Sequence, residues 1–353
     1  MRGLMFMLLG AFGLLLTVEG LLRFLPVSSA TQTDYYVDPL ILGYPPGHRW
    51  TTATGWDLRN AQTMKANNFG FSGDVDFDRD PQAVALIGDS YVEASMLENA
   101  DRPGPQLTRA LTGRRPVYAM GAPGSALLDY AERIRWAHDR FGLRDFVVLM
   151  EAGDVRQSIC GSGNVHGPCL DALNFGPSVQ KSLPASNLKR WLRHSAFLQY
   201  LTGQLQLKLT NFSQLALLAN AVAATPVESS KAGPYKPAMD KDAQREAMVR
   251  AVADAFFARI DHCVEGHLVI AILGRMTREA LEDGSAADTP LMRERSLFID
   301  LARTHGVTIV DAEPPFREHW RQSNLSLAVS PKDGHLNPIG VSLLMQAVAE
   351  QLP

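Results

Sequence analysis

The chain has 353 residues, of which 46% are hydrophobic and 20% are charged, and its formal net charge is -3. This composition is ample for a buried core, either in one large α/β domain or in two domains. The balance is slightly acidic and no lysine/arginine run of nucleic-acid-binding type is present, so nucleic acid is excluded as an expected partner.

The amino-terminal segment is predicted to anchor the chain in a membrane. Residues 3–25 are apolar apart from a few positions, and this length approaches the roughly 20 residues that span a bilayer. Glu19 and Arg23 lie four residues apart and can pair on one face of a helix near the interface. With Arg2 on the inner side, residues 1–30 are predicted to be a single-pass signal anchor in the inner membrane. Residues 31–353 would then form an exported domain in the periplasm.

A cleaved signal peptide is the alternative for this segment. Ser28, Ser29 and Ala30 are small residues of the kind found at cleavage sites. The anchor is favoured because Glu19 and Arg23 would stand between the apolar stretch and that site. Both interpretations export the rest of the chain.

From Ala83 onward, short apolar runs alternate with helical patterns. The predicted strands are residues 83–87, 116–120, 145–150, 268–273 and 307–311. The predicted helices are residues 104–111, a helix capped by Ser125 and running to 141, 242–260, 293–304 and 341–352. Strands separated by helices predict a central parallel five-stranded sheet with helices on both faces, a three-layer α/β/α fold of flavodoxin-like type.

An insertion at about 157–241 interrupts this alternation and is placed at the carboxyl edge of the sheet, where it can shape a cleft. It contains a basic group that can contact an anionic glycan or a membrane, or can simply form a solvated helix face. That group comprises Lys189, Arg190, Arg193 and His194.

The cysteines agree with an exported protein. Cys160 and Cys169 lie nine residues apart in a glycine-rich loop, where a local disulfide would restrain the loop. Two free thiols remain the plainer alternative. A zinc site that includes His166 is less well supported, because four convincing ligands are not visible. Cys263 is expected to be a packed thiol at a helix end.

A serine follows the first predicted strand directly. Gly88 permits a tight exit from the strand, and the carboxylate of Asp89 can tie the turn together. Ser90 is therefore expected at the carboxyl edge of the sheet, where a nucleophile can work. The alternative role for Ser90 is that of a helix cap.

A second polar motif, Asp333-Gly334-His335-Leu336-Asn337-Pro338, precedes the last predicted helix. His335 is the predicted base, because an imidazole can take a proton from a serine hydroxyl and return it to a leaving alcohol. Asp333 is predicted to orient the imidazole and to stabilise its charged form. Asp311, at the end of the fifth strand, is a weaker candidate for this acid.

These motifs, with the turn from Gly121 to Gly124, resemble the GDSL, or SGNH, superfamily of hydrolases and acyltransferases over residues 84–352. The resemblance implies a catalytic triad of Ser90, Asp333 and His335 that needs no metal and no organic cofactor. Many members place the acid three residues before the histidine, where this chain has Lys332. The Asp-x-His spacing is similar to that of polysaccharide O-acetylation proteins of the alginate type.

The segment Asn67-Asn68-Phe69-Gly70-Phe71 resembles an Asn-x-x-Gly-Phe/Tyr segment that precedes the first strand in membrane-tethered members of the superfamily. The residues alone predict a turn and a short strand, and they do not reveal a function for the segment.

The resemblance also implies an oxyanion hole built from backbone N–H groups of Ser90 and Gly121 and from an asparagine in a Gly-x-Asn-Asp block. Here that block reads Glu151-Ala152-Gly153-Asp154, with glycine in place of asparagine. The predicted donors are therefore Ser90, Gly121 and Gly153, with the backbone N–H of Asp154 as an alternative to that of Gly153.

Three side chains near this block are alternative donors: Asn164, Gln157 and Arg156. A weak or inactive relative is the remaining possibility. Glu151 and Asp154 also form a candidate carboxylate pair for glycoside cleavage, the least supported of these hypotheses. Asp154 is expected instead to stabilise the loop.

The favoured hypothesis is a membrane-tethered, exported serine esterase or O-acyltransferase. It would act on acyl esters, mainly acetyl esters, of an envelope or secreted polysaccharide, with polysaccharide-assembly proteins as possible partners. One alternative is a catalytically degenerate glycan-binding or assembly module on the same fold, prompted by the absent asparagine. Another is a lipase or thioesterase, prompted by the anchor and by the apolar stretch at 197–218.

Overall fold

The computed structural model describes residues 2–29, 32–162, 167–180, 193–205, 207, 241–283, 288–331 and 333–353. The chain divides into two compact units. The first comprises Met1–Thr31, Trp50–Thr63 and Pro184–Asp240, and the second comprises Gln32–Arg49, Met64–Leu183 and Lys241–Pro353.

The strands of the described chain, in order, are β1 Asp34–Asp38, β2 Ile41–Gly43, β3 Arg49–Thr54, β4 Arg59–Lys65, β5 Val84–Gly88, β6 Val117–Gly121, β7 Asp145–Met150, β8 Pro168–Leu170, β9 Pro177–Val179, β10 Leu268–Ile272, β11 Thr308–Asp311, β12 Ala328–Ser330 and β13 Asp333–Leu336. The helices are α1 Arg2–Leu22, α2 Ser90–Glu93, α3 Pro103–Ala110, α4 Leu127–Phe141, α5 Asp154–Gln157, α6 Ala196–Gln199, α7 Lys241–Ile260, α8 Arg278–Glu282, α9 Pro290–Thr304, α10 Glu313–Gln322 and α11 Pro338–Ala349.

The second unit is built on a five-stranded parallel sheet of order β11-β10-β7-β5-β6. This confirms the predicted fold class, and the five predicted strands are present to within one or two residues. β5 is buried along its whole length, as a continuous apolar run in a central parallel strand requires. Gly88, at its end, pairs in register with Gly121 of β6 and Leu149 of β7. The carboxyl ends of these three strands therefore lie side by side.

Two apolar layers cover the faces of the sheet. Residues of α4, α7 and α9 pack on one face together with the aromatic side chains that precede β5. Residues of α3, α10 and α11 pack on the other face. Burial of these two apolar faces is the main stabilising contribution to such a domain. The arrangement is the predicted three-layer α/β/α architecture.

Several local predictions need correction. Ser125 does not cap α4: its hydroxyl donates to the carbonyl of Ala122 at 2.6 Å, and the cap is Ala126, whose N–H donates to the Asp129 carboxylate at 2.8 Å. Ser125 lies one residue before the N-cap position, and its buried hydroxyl is committed to the preceding turn. Helix α10 and the β12–β13 hairpin were not predicted, because α10 is mostly polar and the two strands of the hairpin are only three and four residues long.

The cysteine prediction is confirmed. Cys160 and Cys169 form a disulfide that ties the loop after α5 to β8. Cys263 is a buried free thiol just beyond α7. His166 and Asn164 lie outside the described residues, as does most of the predicted insertion, including Lys189 and Arg190.

The first unit holds α1, whose segment Gly3–Leu22 is long and apolar enough to cross a membrane. Near its end, the Glu19 carboxylate pairs with Arg23 at 2.8 Å, as the sequence predicted. The same carboxylate accepts hydrogen bonds from the Ser195 hydroxyl at 2.8 Å and from the N–H groups of Ala196 and Phe197 at 3.1 and 2.9 Å. Glu19 thus satisfies the free N–H groups that begin α6.

Candidate active site

The turn between β5 and α2 presents Ser90. A Cβ at Gly88 would lie 2.5 Å from the carbonyl oxygen of Leu149 and 2.6 Å from Val92, so the turn requires glycine there. The Asp89 carboxylate accepts a hydrogen bond from the Tyr91 N–H at 2.9 Å and caps the short helix α2. The predicted roles of Gly88 and Asp89 in shaping the turn agree with this geometry.

The hairpin of β12 and β13 presents the other two predicted residues. Asn337, directly after β13, accepts hydrogen bonds from the N–H groups of Ile339 and Gly340, both at 3.0 Å, and caps α11. Its amide also donates to the carbonyl of Ser326 at 2.5 Å. The Asn-Pro-x-Gly part of the motif therefore fixes the hairpin to the start of the last helix.

The three side chains form a continuous hydrogen-bonded series. The Ser90 hydroxyl oxygen lies 2.9 Å from Nε2 of His335, across 245 positions of sequence. Nδ1 of the same ring lies 2.6 Å from Oδ1 of Asp333, which also accepts a hydrogen bond from the His335 N–H at 3.1 Å. The imidazole and carboxylate are 28% and 27% exposed, so water or a substrate hydroxyl can reach them.

Asp311, the weaker candidate for the acid, is engaged elsewhere. Its Oδ1 accepts hydrogen bonds from Arg295 at 2.6 Å and from the N–H of Glu313 at 2.9 Å. Asp333 is the carboxylate that faces the histidine. Lys332, at the position where many superfamily members carry the acid, lies outside the described residues.

Tyr91 packs against the imidazole, which the sequence analysis did not predict. The rings of Tyr91 and His335 have centroids 4.6 Å apart at an angle of 37°. The phenol donates a hydrogen bond to the carbonyl of Gly334 at 3.3 Å. Burial raises the pKa of Tyr91, and the nearby Glu151 carboxylate adds to this effect, so the phenol stays protonated as a donor. An aromatic residue directly after the serine was the available sequence signal.

Arg133 supports the ends of two strands and was also missed. This side chain of α4 is fully buried, and its Nη1 donates to the carbonyl of Gly88 at 2.6 Å and to that of Met120 at 3.1 Å. These carbonyls stand immediately before the Ser90 turn and before Gly121. A charged residue within an otherwise apolar helix face was the signal that could have revealed this role.

The predicted oxyanion positions differ in their surroundings. A Cβ at Gly121 would lie 2.3 Å from the backbone nitrogen of Glu93, so this position needs glycine to let α2 approach β6. At Gly153, the N-cap of α5, a Cβ would lie 2.8 Å from Oε1 of Glu151 and 3.0 Å from Nε2 of Gln157. Gln157 donates to that Glu151 oxygen at 2.8 Å. The space beside Gly153 is thus filled by an amide–carboxylate pair.

The contacts of the alternative donors also distinguish them from one another. Arg156 donates a hydrogen bond to the buried Glu294 carboxylate at 2.7 Å, so its guanidinium is directed to that residue. Asn164 is outside the described residues. Of the two described candidates, Gln157 is the one that lies beside Gly153.

Asp154 organises the loop after β7 from within the protein. It is fully buried, and its Oδ2 accepts hydrogen bonds from the Tyr130 hydroxyl and the Glu151 N–H, both at 3.0 Å. Burial raises the pKa of Asp154 well above its ordinary value, and the Asp89 and Glu151 carboxylates add to this effect. A fully buried carboxyl cannot reach a sugar ring, so the hypothesis of a glycosidase pair with Glu151 is wrong.

Burial also raises the pKa of Asp89, to about 6, with the Glu151 charge acting in the same direction and His335 opposing it. The described residues contain no group of three or more histidine, cysteine, aspartate or glutamate side chains arranged to hold a metal ion.

Comparisons with known proteins give structural matches only. No family model matches the chain, and no curated protein matches it. An α/β hydrolase from the metagenome of Lake Arreo, Spain, has 16% identity and a TM-score of 0.40, covering 78% of this chain and 95% of its own. A lipolytic G-D-S-L family protein from Veillonella parvula DSM 2008 has 10% identity and a TM-score of 0.39, covering 76% and 96%.

A carbohydrate acetylesterase from Sinorhizobium meliloti has 10% identity and a TM-score of 0.38, covering 76% of this chain and 97% of its own. The G-D-S-L family named for the Veillonella protein is the one that the motifs around Ser90 and His335 resemble. Identity this low leaves the chemistry of the site to be argued from the residues of this chain.

Proposed function

We propose that this chain is a serine ester hydrolase or O-acyltransferase of the GDSL/SGNH type. The observation that carries the proposal is the unbroken contact from the Ser90 hydroxyl through His335 to Asp333. A free serine hydroxyl is a weak nucleophile, and a histidine at 2.9 Å is placed to accept its proton.

The reaction follows from this arrangement. Nε2 of His335 takes the proton of Ser90 as Oγ forms a bond to the acyl carbon, while Asp333 stabilises the imidazolium. Backbone N–H groups at the strand ends, those of Ser90 and Gly121 among them, stabilise the developing oxyanion. Collapse of the tetrahedral intermediate breaks the ester bond, and the leaving alcohol receives the proton from His335. Water or a sugar hydroxyl then attacks the acyl-enzyme by the same steps in reverse.

The chain is proposed to remain tethered by α1 to the inner membrane, with the catalytic unit in the periplasm. The four hydrogen bonds of Glu19, one from Arg23 and three from residues 195–197, join the end of α1 to the rest of its unit. Cleavage beyond Ala30 would remove the partner that satisfies the start of α6. The Cys160–Cys169 disulfide supports an oxidising compartment.

The proposed substrate is an acylated, mainly acetylated, envelope or secreted polysaccharide. The His335 and Asp333 side chains are partly exposed, so a bulky substrate can approach them, and the Asp-x-His spacing resembles the polysaccharide O-acetylation type. Proteins that assemble the polysaccharide would be natural partners.

The test compares wild type with Ser90→Ala on a small chromogenic acetate ester, with fluorophosphonate labelling as the second measurement. We expect wild type to hydrolyse the ester and to be labelled at Ser90, and Ser90→Ala to lose about 10⁴-fold or more in rate. Ser342→Ala on α11 is the matched control and should behave as wild type. Equal rates for wild type and Ser90→Ala would reject Ser90 as the nucleophile.

The tether has its own measurement. The intact mass of the membrane-bound protein should include residues 1–30, and the protein should resist extraction at high pH. A mature mass that begins after Ala30 would show a cleaved signal peptide.

A non-enzymatic glycan-binding module is the second candidate. It is favoured by one observation: the space beside Gly153 holds the Glu151 side chain rather than an asparagine donor. This function predicts saccharide binding that survives Ser90→Ala and no fluorophosphonate labelling of wild type.

A further inference from the structure

The Asn67–Phe71 segment forms a tight, fully bonded turn. The Asn67 side-chain oxygen accepts hydrogen bonds from the N–H groups of Phe69 and Phe71, both at 3.0 Å. Its amide donates to the carbonyl of Val75 at 3.0 Å. The Asn67 side chain therefore closes the turn in the manner of an Asx-type turn, and the Asn68 side chain ties it to the backbone of Phe77.

Gly70 brings this turn against Tyr44. Its φ is +84°, and its carbonyl accepts a hydrogen bond from the Tyr44 N–H at 2.8 Å. A Cβ at Gly70 would lie 2.1 Å from the carbonyl oxygen of Tyr44. Only glycine suits both the left-handed backbone and this close approach.

Tyr44 in turn reaches the helix that begins with the nucleophile. Its hydroxyl donates to Oε2 of Glu93 at 3.0 Å, and both residues are buried. Glu93 is the last residue of α2, three positions after Ser90. A hydrogen bond to a buried carboxyl is stronger than one at the surface, since no water competes for it.

The helix that Tyr44 holds is short and strained at its end. Ala94, its C-cap, has φ 44° and ψ 49°, in the left-handed region, and its N–H bonds to the carbonyl of Ser90 at 2.9 Å. A non-glycine residue persists in this region only when its surroundings impose it, at a cost on the order of 1–2 kcal/mol. A one-turn helix has few bonds of its own, so its position depends on outside contacts.

We propose that Tyr44, seated by the Asn67–Phe71 turn, is a positioning residue that fixes the Ser90 helix through its hydrogen bond to Glu93. This rests on the proposed function, because it assigns the turn a role in placing the Ser90 hydroxyl against His335. The role of the Asn67–Phe71 segment is then to align the nucleophile without touching the substrate.

The test is Tyr44→Phe, which removes the hydroxyl and keeps the ring. We expect kcat on the acetate ester to fall about tenfold, less than the roughly 10²-fold that a 1 Å misplacement of a reacting group can cost, because the tyrosine ring stays in place. KM should stay within a factor of two, and the rate of fluorophosphonate labelling should fall by the same factor as kcat. Tyr118→Phe is the matched control, because its buried hydroxyl donates to the Asp78 carbonyl at 3.1 Å near the opposite end of the sheet. It should lower Tm and leave kcat unchanged.

A second pair of variants tests Glu93, the acceptor of the Tyr44 hydrogen bond. Glu93→Gln retains an acceptor for Tyr44 and should keep most of the wild-type kcat, whereas Glu93→Ala, which also removes the interactions with Ser95 and Arg102, should lose at least as much as Tyr44→Phe. The double variant Tyr44→Phe, Glu93→Ala should show no loss beyond that of Glu93→Ala, because the Tyr44 hydroxyl then has no Glu93 carboxylate to lose.

The outcomes separate this role from the proposed function. Wild-type kcat and labelling rate in Tyr44→Phe, together with an inactive Ser90→Ala, would overturn the positioning role alone. Equal hydrolysis by wild type and Ser90→Ala would overturn the esterase function itself.

Discussion

The ends of β5 and β7 are neighbours in register, but the loops that follow them are built differently. After β5, a glycine, a capping aspartate and a one-turn helix present the Ser90 hydroxyl to His335. After β7, a buried Asp154 folds the loop inward, and the pair formed by Glu151 and Gln157 covers Gly153. The turn after β5 presents the Ser90 hydroxyl, whereas the loop after β7 fills the space beside Gly153 with its own side chains.

The difference explains why the sequence revealed one end and not the other. The β5 turn depends on residues within four positions, so its pattern of glycine, aspartate and serine is visible in the sequence. The β7 loop depends on the hydroxyl of Tyr130 in α4, which lies 24 positions before the Asp154 carboxylate that accepts its hydrogen bond. Such contacts leave no local signal.

Asp333→Asn should have the largest effect, and it tests whether Asp333 orients the histidine that faces the serine after β5. An amide at this position favours the wrong tautomer of His335, and we expect kcat to fall about 10⁴-fold with little change in Tm. Esterase kinetics and thermal unfolding measure the two quantities. Asp311→Asn is the control, because that carboxylate binds Arg295 rather than the histidine. A full loss of activity in Asp311→Asn with activity retained in Asp333→Asn would reverse the assignment.

Introducing an asparagine after β7 tests whether the loop there lacks an oxyanion donor. The double variant Glu151→Gly, Gly153→Asn removes the carboxylate that occupies the space and supplies a side-chain donor. Because one oxyanion donor is worth about 10²–10³ in kcat, we expect the double variant to be up to about 10²-fold faster.

The single variants serve as controls for this gain. Gly153→Asn alone should gain less, since its Cβ would meet Glu151 Oε1 at 2.8 Å. Glu151→Gly alone supplies no donor and should change kcat little. A double variant no faster than wild type would show that the β7 loop already provides the missing donor.

The fold was predictable because its strands are continuous apolar runs and its main helices have clear faces. The meeting of Ser90, His335 and Asp333 was predictable because each of them stands at a motif with its own local chemistry. Tyr91 and Arg133 were not, since their roles come from contacts with His335 and with strand-end carbonyls distant in sequence. Ser125 was mistaken for a cap because residue type alone does not show that a turn buries it.

Buried carboxyls near the end of β5 predict that the free energy of unfolding depends on pH. Glu93 is the residue at which this dependence can be tested. Burial raises the pKa of Glu93 from 4.5 to about 7, opposed in part by the Tyr44 and Arg102 interactions. The folded state therefore holds this proton where the unfolded chain has lost it. The contribution of Glu93 is fully present below about pH 4.5 and is lost as pH rises through 7.

Between pH 5 and pH 8, wild type should lose about 2 kcal/mol of unfolding free energy that Glu93→Gln retains, as measured by urea denaturation at both values. The glutamine keeps an acceptor for the Tyr44 hydroxyl, so the difference reports ionisation rather than a lost hydrogen bond. Glu279→Gln, at an exposed position of α8, should follow wild type at both pH values. Parallel losses in wild type and Glu93→Gln would mean that Glu93 ionises no differently in the folded and unfolded states. The Glu93 carboxyl would then not be shielded from water, and its hydrogen bond with Tyr44 would not be strengthened by burial.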